Sequence, residues 1–256
     1  MGKNKLAKWQ EFGSFPNVIQ PETTEIRGKD HPIKGNWKSD IFKNQNPIVL
    51  ELGCGKGEYS VGLAEMFQTN NFIGVDIKGS RMWRGAKTSN ERRMNNVAFL
   101  RTRIEFIDRF FTEDEVDEIW VTFPDPHQGP RNANKRLTSP WYLNKYISFL
   151  KNNGIIHLKT DNVELFQYTR SVIKKIGLEE LVASDDLYSE TLKHDDVITG
   201  VSDSLNLPDE QSLFIHNILS IKTFYEKQFL AKGMKITYLA FKLNKDILRK
   251  YAEKQA

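Results

Sequence analysis

Cysteine is almost absent from this 256-residue chain. The single Cys54 excludes both a disulfide framework and a cysteine-built zinc site within one chain, and it points to a reducing, cytoplasmic setting. Long apolar runs are missing too, since none approaches the roughly 18 residues that a membrane span needs. The first twenty residues carry lysines but no apolar stretch, which argues against a secretory leader. The five histidines (His31, His127, His157, His194 and His216) show no metal-ligand spacing, so no metal is expected. The phosphate-loop pattern Gly-x-x-x-x-Gly-Lys-Ser/Thr is absent, and so is the dinucleotide pattern Gly-x-Gly-x-x-Gly.

What is present suits one large domain with extensions. Hydrophobic residues make up 39% and aromatic residues 11%, enough for a sizeable core. The net charge of +4 is small, but it is unevenly spread. Between Arg81 and Arg103 lie seven basic residues (Arg81, Arg84, Lys87, Arg92, Arg93, Arg101 and Arg103) against one acid, Glu91. Such an excess attracts phosphates through counterion release, although a solvated helix face would carry the same residues.

Residues 1–46 are polar and lack a steady hydrophobic period. They read as a basic, polar arm anchored by Trp9, Phe12, Phe15 and Trp37. From Pro47 onward, apolar runs alternate with helical periods. Strands are expected at 47–52, 71–76, 96–100, 117–123, 154–160 and 235–243. Helices are expected at 58–67, 80–94 with Ser80 as N-cap, 139–150, and 163–176 closed by Gly177. A charged helical tail follows Asn244, and residues 184–220 read as an insertion within the 47–256 domain. Alternation of this kind predicts an α/β fold with a mainly parallel central sheet and helices on both faces.

Two segments carry chemistry. The first strand ends in Glu51-Leu52-Gly53-Cys54-Gly55-Lys56-Gly57, a Gly-x-Gly-x-Gly turn that feeds a helix. Gly53, Gly55 and Gly57 allow a sharp turn and let a ligand touch backbone, while the free N–H groups of the helix favour an anionic group. This spacing suits S-adenosylmethionine, which has a carboxylate and no pyrophosphate. Asp76 ends the second strand, 19 residues past Gly57, where a carboxylate can accept both hydroxyls of a ribose. Glu51 is placed either to reach the methionine ammonium or to cap local backbone. Cys54 reads as a small filler of the turn. The second segment is Phe123-Pro124-Asp125-Pro126, in which two prolines stiffen the loop around one carboxylate. No aromatic residue follows the prolines directly, which argues against an exocyclic amine as the methyl acceptor.

At these residues the chain resembles the bacterial tRNA (guanine-N7-)-methyltransferases, a Rossmann-like class I family. Gly35-Asn36-Trp37, the 51–57 turn, Gly74-Val75-Asp76 and Phe123-Pro124-Asp125-Pro126 match in order. They are followed by Lys135-Arg136-Leu137-Thr138, His157-Leu158-Lys159-Thr160-Asp161-Asn162 and Thr223-Phe224-Tyr225-Glu226, so the likeness covers residues 35–242. It implies that Glu51, the three glycines, Asp76 and Asp125 hold S-adenosylmethionine, with Asp125 also the catalytic carboxylate. It further implies that Asp161, Thr223, Tyr225 and Glu226 contact a guanosine in the variable loop of tRNA.

Three departures stand out. The loop His127-Gln128-Gly129-Pro130-Arg131-Asn132 replaces the family's Trp-Pro-Lys-Lys-Arg-His, removing a stacking Trp and a substrate-contacting Lys. Arg103 stands where the family has an acid facing the cofactor; its position makes it a cofactor-binding candidate, with Glu105 as the alternative. Residues 184–220 are longer than usual. Arg131, Lys135 and Arg136 join the 81–103 cluster as expected grips on the tRNA backbone. Methylation of another RNA, or RNA binding without catalysis, remains the alternative. The oligomeric state, monomer or homodimer, is left open.

Overall fold

The structure, a computed structural model, describes residues 3–188 and 221–255. Most of the expected 184–220 insertion therefore lies outside the described residues. The chain divides into two compact units: Met1–Ile119 with Ser148–Lys151, and Trp120–Ile147 with Asn152–Ala256.

The first unit begins with α1 (Lys3–Gly13), β1 (Val18–Ile19) and a single turn, α2 (Thr23–Ile26). There follow β2 (Ile48–Leu52), α3 (Glu58–Met66), β3 (Asn71–Asp76), α4 (Gly79–Glu91) and β4 (Val97–Arg101). The strands lie in the order β1-β4-β3-β2, and all three pairings are parallel. Leu50 pairs with Ile73 and Val75 with Leu100, and all four are fully buried. Parallel neighbours require crossovers, which α3 and α4 supply.

The basic N-terminal segment carries more structure than its pattern suggests. Helix α1 lies on α4, where the Glu11 carboxylate accepts from Trp83 Nε1 at 2.7 Å and Lys87 Nζ at 3.1 Å. Those hydrogen bonds hold the Glu11 carboxyl below its usual range. Strand β1 adds to the sheet through Val18–Phe99 and Ile19–Leu100. Of the expected anchors, Phe12 and Trp37 are fully buried. Trp37 stacks on Phe111 at 5.4 Å and donates from Nε1 to Phe110 O at 2.8 Å.

The second unit holds the end of β5 (Val116–Thr122) and most of β6 (Leu150–Thr160), with α5 (Pro140–Tyr146) between them. Then come α6 (Val163–Ile176), β7 (Glu180–Ser184), α7 (Phe224–Ala231), β8 (Thr237–Leu243) and α8 (Lys245–Glu253). Strand β8 lies between β6 and β7 and runs antiparallel to both, pairing Leu158 with Leu239. Local capping sets the helix starts. Ser139 Oγ accepts from Tyr142 N, Asn162 Oδ1 from Leu165 N at 2.7 Å, and Asn244 Oδ1 from Ile247 N at 3.0 Å. Gly177, at φ 87°, closes α6.

Among the boundaries that differ from the sequence reading, two have a clear hydrogen-bond cause. Ser80 is not an N-cap: that position is Lys78, whose N–H donates to Asp76 Oδ1 at 2.8 Å, so a strand residue anchors the helix entrance. The helix expected at 139–150 ends at Tyr146, because Phe149 O accepts from Val116 N in a strand ladder.

The glycine turn is fixed by sterics. A Cβ on Gly57 would lie 2.5 Å from the Phe99 ring, and one on Gly85 would lie 2.8 Å from Lys56 O. A Cβ on Gly55 would meet nothing within 4 Å, although its φ is +55°. Gly55→Ala should therefore cost about 1–2 kcal/mol from left-handed backbone alone. Gly57→Ala adds overpacking against Phe99 and should cost about 2–4 kcal/mol in total, read by chemical denaturation. Equal losses would show that the Phe99 ring yields freely.

Candidate active site

In the first unit the site is built at the carboxyl ends of β2 and β3, where open parallel sheets place ligands. Gly53 N–H and Cys54 N–H both donate to Val75 O, at 2.8 and 3.0 Å, clamping the turn onto β3. Gly55 N–H donates to Asp76 Oδ2 at 3.0 Å, while Asp76 Oδ1 takes the Lys78 N–H. Each Asp76 oxygen is thus held by one backbone donor and keeps further acceptor capacity. Glu51, 3% exposed, accepts from Ser60 N at 2.9 Å and Ser60 Oγ at 2.5 Å. Its carboxylate secures the first turn of α3 through one oxygen, Oε2. Burial, reinforced by the negative charges of Glu51 and Asp76, pushes the Cys54 thiol well above its usual range, which suits packing rather than nucleophilic chemistry.

The residues present fit a nucleoside-type cofactor. A Cβ on Gly53 or Gly55 would meet open space, so a ligand has room to approach that backbone, and Asp76 is anchored beside it. A neighbouring hollow is lined by Pro21, Ile26, Ile77, Arg101, Arg103 and Phe106. Ile77 is 45% exposed, an unusual state for an isoleucine that follows a buried strand. The sequence reading missed Pro21, Ile26, Ile77 and Phe106. Only the position of Ile77, next to Asp76, offered a signal. Arg103 lines this hollow and Glu105 is exposed nearby.

In the second unit β5 runs into the proline-clamped loop. Phe123 and His127, at φ 48° and 42°, bracket Pro124, Asp125 and Pro126 in left-handed backbone that non-glycine residues seldom adopt. That strain costs about 1–3 kcal/mol per residue and persists only where the surroundings enforce it. Phe123 N–H is tied to Lys159 O at 2.8 Å, and Asp125 Oδ1 accepts from His127 N at 3.1 Å. Arg136 completes the enforcement: its Nε donates to Pro126 O at 3.0 Å and His127 O at 3.3 Å, and its guanidinium lies 4.2 Å from the Tyr168 ring centroid. The Asp125 side chain is 74% exposed. The structure therefore holds a fixed carboxylate out to solvent.

Asp161 follows β6, and partial burial raises its carboxyl above the usual range. Thr223 and Glu226 form a capping box at the start of α7. Glu226 is fully buried. It accepts from Lys159 Nζ at 2.7 Å and from the Tyr188 hydroxyl at 2.5 Å. Burial lowers the Lys159 pKa, while the Glu226 charge opposes that shift. Tyr225, by contrast, is 39% exposed beside Phe224.

Residues 45–238 match a family model described as "Putative methyltransferase". A "tRNA (guanine-N(7)-)-methyltransferase" of Bacteroides fragilis is 48% identical over 95% of this chain and 87% of that protein. A protein of the same description from Christiangramia forsetii is 45% identical over 94% and 98% of the two chains. The chain belongs to the tRNA (guanine-N7)-methyltransferase family. Among solved structures, the 16S rRNA methyltransferase KamB aligns over 88% of this chain and 95% of its own, with TM-score 0.54 at 12% identity. That likeness supports the Rossmann-like class I methyltransferase fold expected from the sequence.

For a member of this family, two expected contacts take a different form here. Arg136, 8% exposed, holds two loop carbonyls through Nε rather than standing free on the surface. Glu226 is engaged with Lys159 and Tyr188 rather than presented to solvent. Arg136→Lys should lower methyl-transfer turnover at least tenfold while leaving cofactor affinity unchanged, because a flexible ammonium cannot span both carbonyls. Steady-state kinetics beside calorimetry checks this, and an unchanged turnover would mean that the prolines alone hold the loop. Glu226→Gln leaves a buried ammonium without its counter-charge and should cost about 3–5 kcal/mol in denaturant unfolding.

Proposed function

We propose that this chain transfers the methyl group of S-adenosylmethionine to N7 of a guanosine in tRNA, in the variable loop. The observation that carries the reading is the glycine turn with open backbone beside the doubly anchored Asp76, in a chain of this family. Asp76 takes the ribose hydroxyls, and the exposed edge of Ile77 with Phe106 offers an apolar surface to the adenine. Glu51 acts from beneath by holding Ser60 and the entrance of α3. When bound, S-adenosylmethionine supplies an electrophilic methyl on a sulfonium.

Guanine N7 carries an in-plane lone pair, so no residue has to remove a proton before attack. The demand on the protein is placement, with N7 about 3 Å from the methyl and in line with the leaving sulfur. Methylation makes the purine cationic, and a preorganised carboxylate lowers the energy of that developing charge. Asp125 fills this role because its loop is stiff and its side chain exposed. Asp161, with its raised pKa, is the second acid suited to the N1–H and amino donors of guanine. Tyr225 offers an exposed ring to the base, and Thr223 acts by capping α7 beneath it.

The test is incubation of the purified chain with bulk unmodified tRNA and labelled methyl donor, followed by identification of the methylated nucleoside. The expected product is 7-methylguanosine. Asp125→Ala should abolish turnover while keeping cofactor affinity within severalfold, and parallel loss of both would reduce Asp125 to a structural role. Label in another nucleoside would redirect the reading to a different RNA target. Failure to bind S-adenosylmethionine at millimolar concentration would leave an RNA-binding relative without catalysis.

A further inference from the structure

We infer that the cleft between α1 and the start of α4 is a seat for one phosphodiester of the tRNA, with Trp9 flanking the attached nucleoside. This rests on tRNA being the substrate. The cleft is lined by Lys5 and Trp9 from α1, by Ile77, Lys78 and Arg81 from the β3–α4 junction, and by Arg101 at the end of β4. Four cations thus converge on one hollow, and among the described residues none of them has an ion-pair partner. Glu11, Asp76 and Glu91, the acids on these elements, form no ion pair with any of the four. Glu11 accepts from Trp83 and Lys87, and both Asp76 oxygens take backbone N–H groups.

Arg101 is the most telling member. Its Nε is buried without a hydrogen-bond partner, as is the Gln20 Oε1 packed beside it at Gly79, and its guanidinium lies 5.8 Å from the Trp9 ring centroid. A Cβ on Gly79 would sit 3.2 Å from the Arg101 Cδ, so the arginine stem is packed in place rather than swinging in solvent. Like charges held together without counter-charges raise the energy of the folded chain, and a bound anion relieves that cost. The geometry favours nucleic acid over a small anion. The Trp9 ring beside the cations adds a stacking surface for a base. The cleft is also preformed. Phe12 is fully buried, and the Asn17 amide donates to Ser89 Oγ at 2.9 Å and Val97 O at 3.1 Å, so the segment after α1 is fastened to α4 and β4. These contacts give the basic N-terminal segment a specific task.

The experiment compares tRNA binding by wild type, Lys5→Ala/Arg81→Ala and Trp9→Ala at several salt concentrations, with S-adenosylmethionine affinity measured by calorimetry. The double variant should bind tRNA about tenfold more weakly at low salt. Its log K against log salt should be shallower by about 0.7–0.9 for each phosphate that the variant no longer neutralises. Trp9→Ala should weaken binding without changing that slope, and Trp9→Phe should restore it. Cofactor affinity should be unchanged throughout. An unchanged tRNA affinity and slope in the double variant would overturn the inference. So would weakened cofactor binding with tRNA binding intact, because the cleft would then belong to the cofactor. Wild-type protein that binds tRNA yet yields no 7-methylguanosine would instead sink the catalytic reading and leave the binding comparison to decide the cleft.

Discussion

Gly57 and Gly85 meet over the ring of Phe99, and the geometry of the first unit follows from how closely they do so. A methyl group on Gly57 would come within 2.5 Å of that ring, and one on Gly85 within 2.8 Å of Lys56 O. Only with both positions bare do the entrance of α3 and the middle of α4 settle onto β4. This contact leaves the N–H groups of the turn free to lock onto Val75 O and Asp76. Asp76 in turn takes the Lys78 N–H and so sets where α4 begins. The Asp76 carboxylate and the α4 entrance are therefore one construction, and neither can shift without the other.

The second unit reaches rigidity by a different route. Its carboxylate is placed by strain, with Phe123 and His127 held in left-handed backbone on either side of two prolines. Proline restricts the loop from within, and Arg136 restrains it from below through two carbonyls. A second buried cation, Lys159, pairs with Glu226, and Glu226 also caps α7. Buried charges of this sort add little net stability, yet breaking a pair is costly, so they fix one arrangement strongly. Charge in this unit serves placement. In the first unit, by contrast, Lys5, Lys78, Arg81 and Arg101 have no acidic partner among the described residues, which is how a surface that receives phosphate is built.

The segments legible in the sequence are those whose determinants are local. Asn71–Asp76 and Val163–Ile176 come out as read, because a strand ending in an acid and a helix running from Asn162 to Gly177 are written within a few residues. The glycine turn, Asp76 and the proline-bracketed Asp125 were visible for the same reason. The hold of Arg136 on its loop was not legible because nothing in Lys-Arg-Leu-Thr says that its partners are carbonyls nine and ten residues back. The role of Trp83 has no local signal, since its partner Glu11 lies 72 positions away. Pro21, Ile26, Ile77 and Phe106 share a hollow only after three separate segments are brought together.

The order of residues alone thus determined which stretches become strand or helix, where most helices are capped, and which acids sit at strand ends. These are matters of short-range hydrogen bonding, backbone sterics and hydrophobic period. Tertiary structure alone decided which charged groups are buried, which stay open to a ligand, and that β8 enters antiparallel between β6 and β7. Burial and long-range pairing depend on what the rest of the chain places opposite each residue, and no local pattern encodes that.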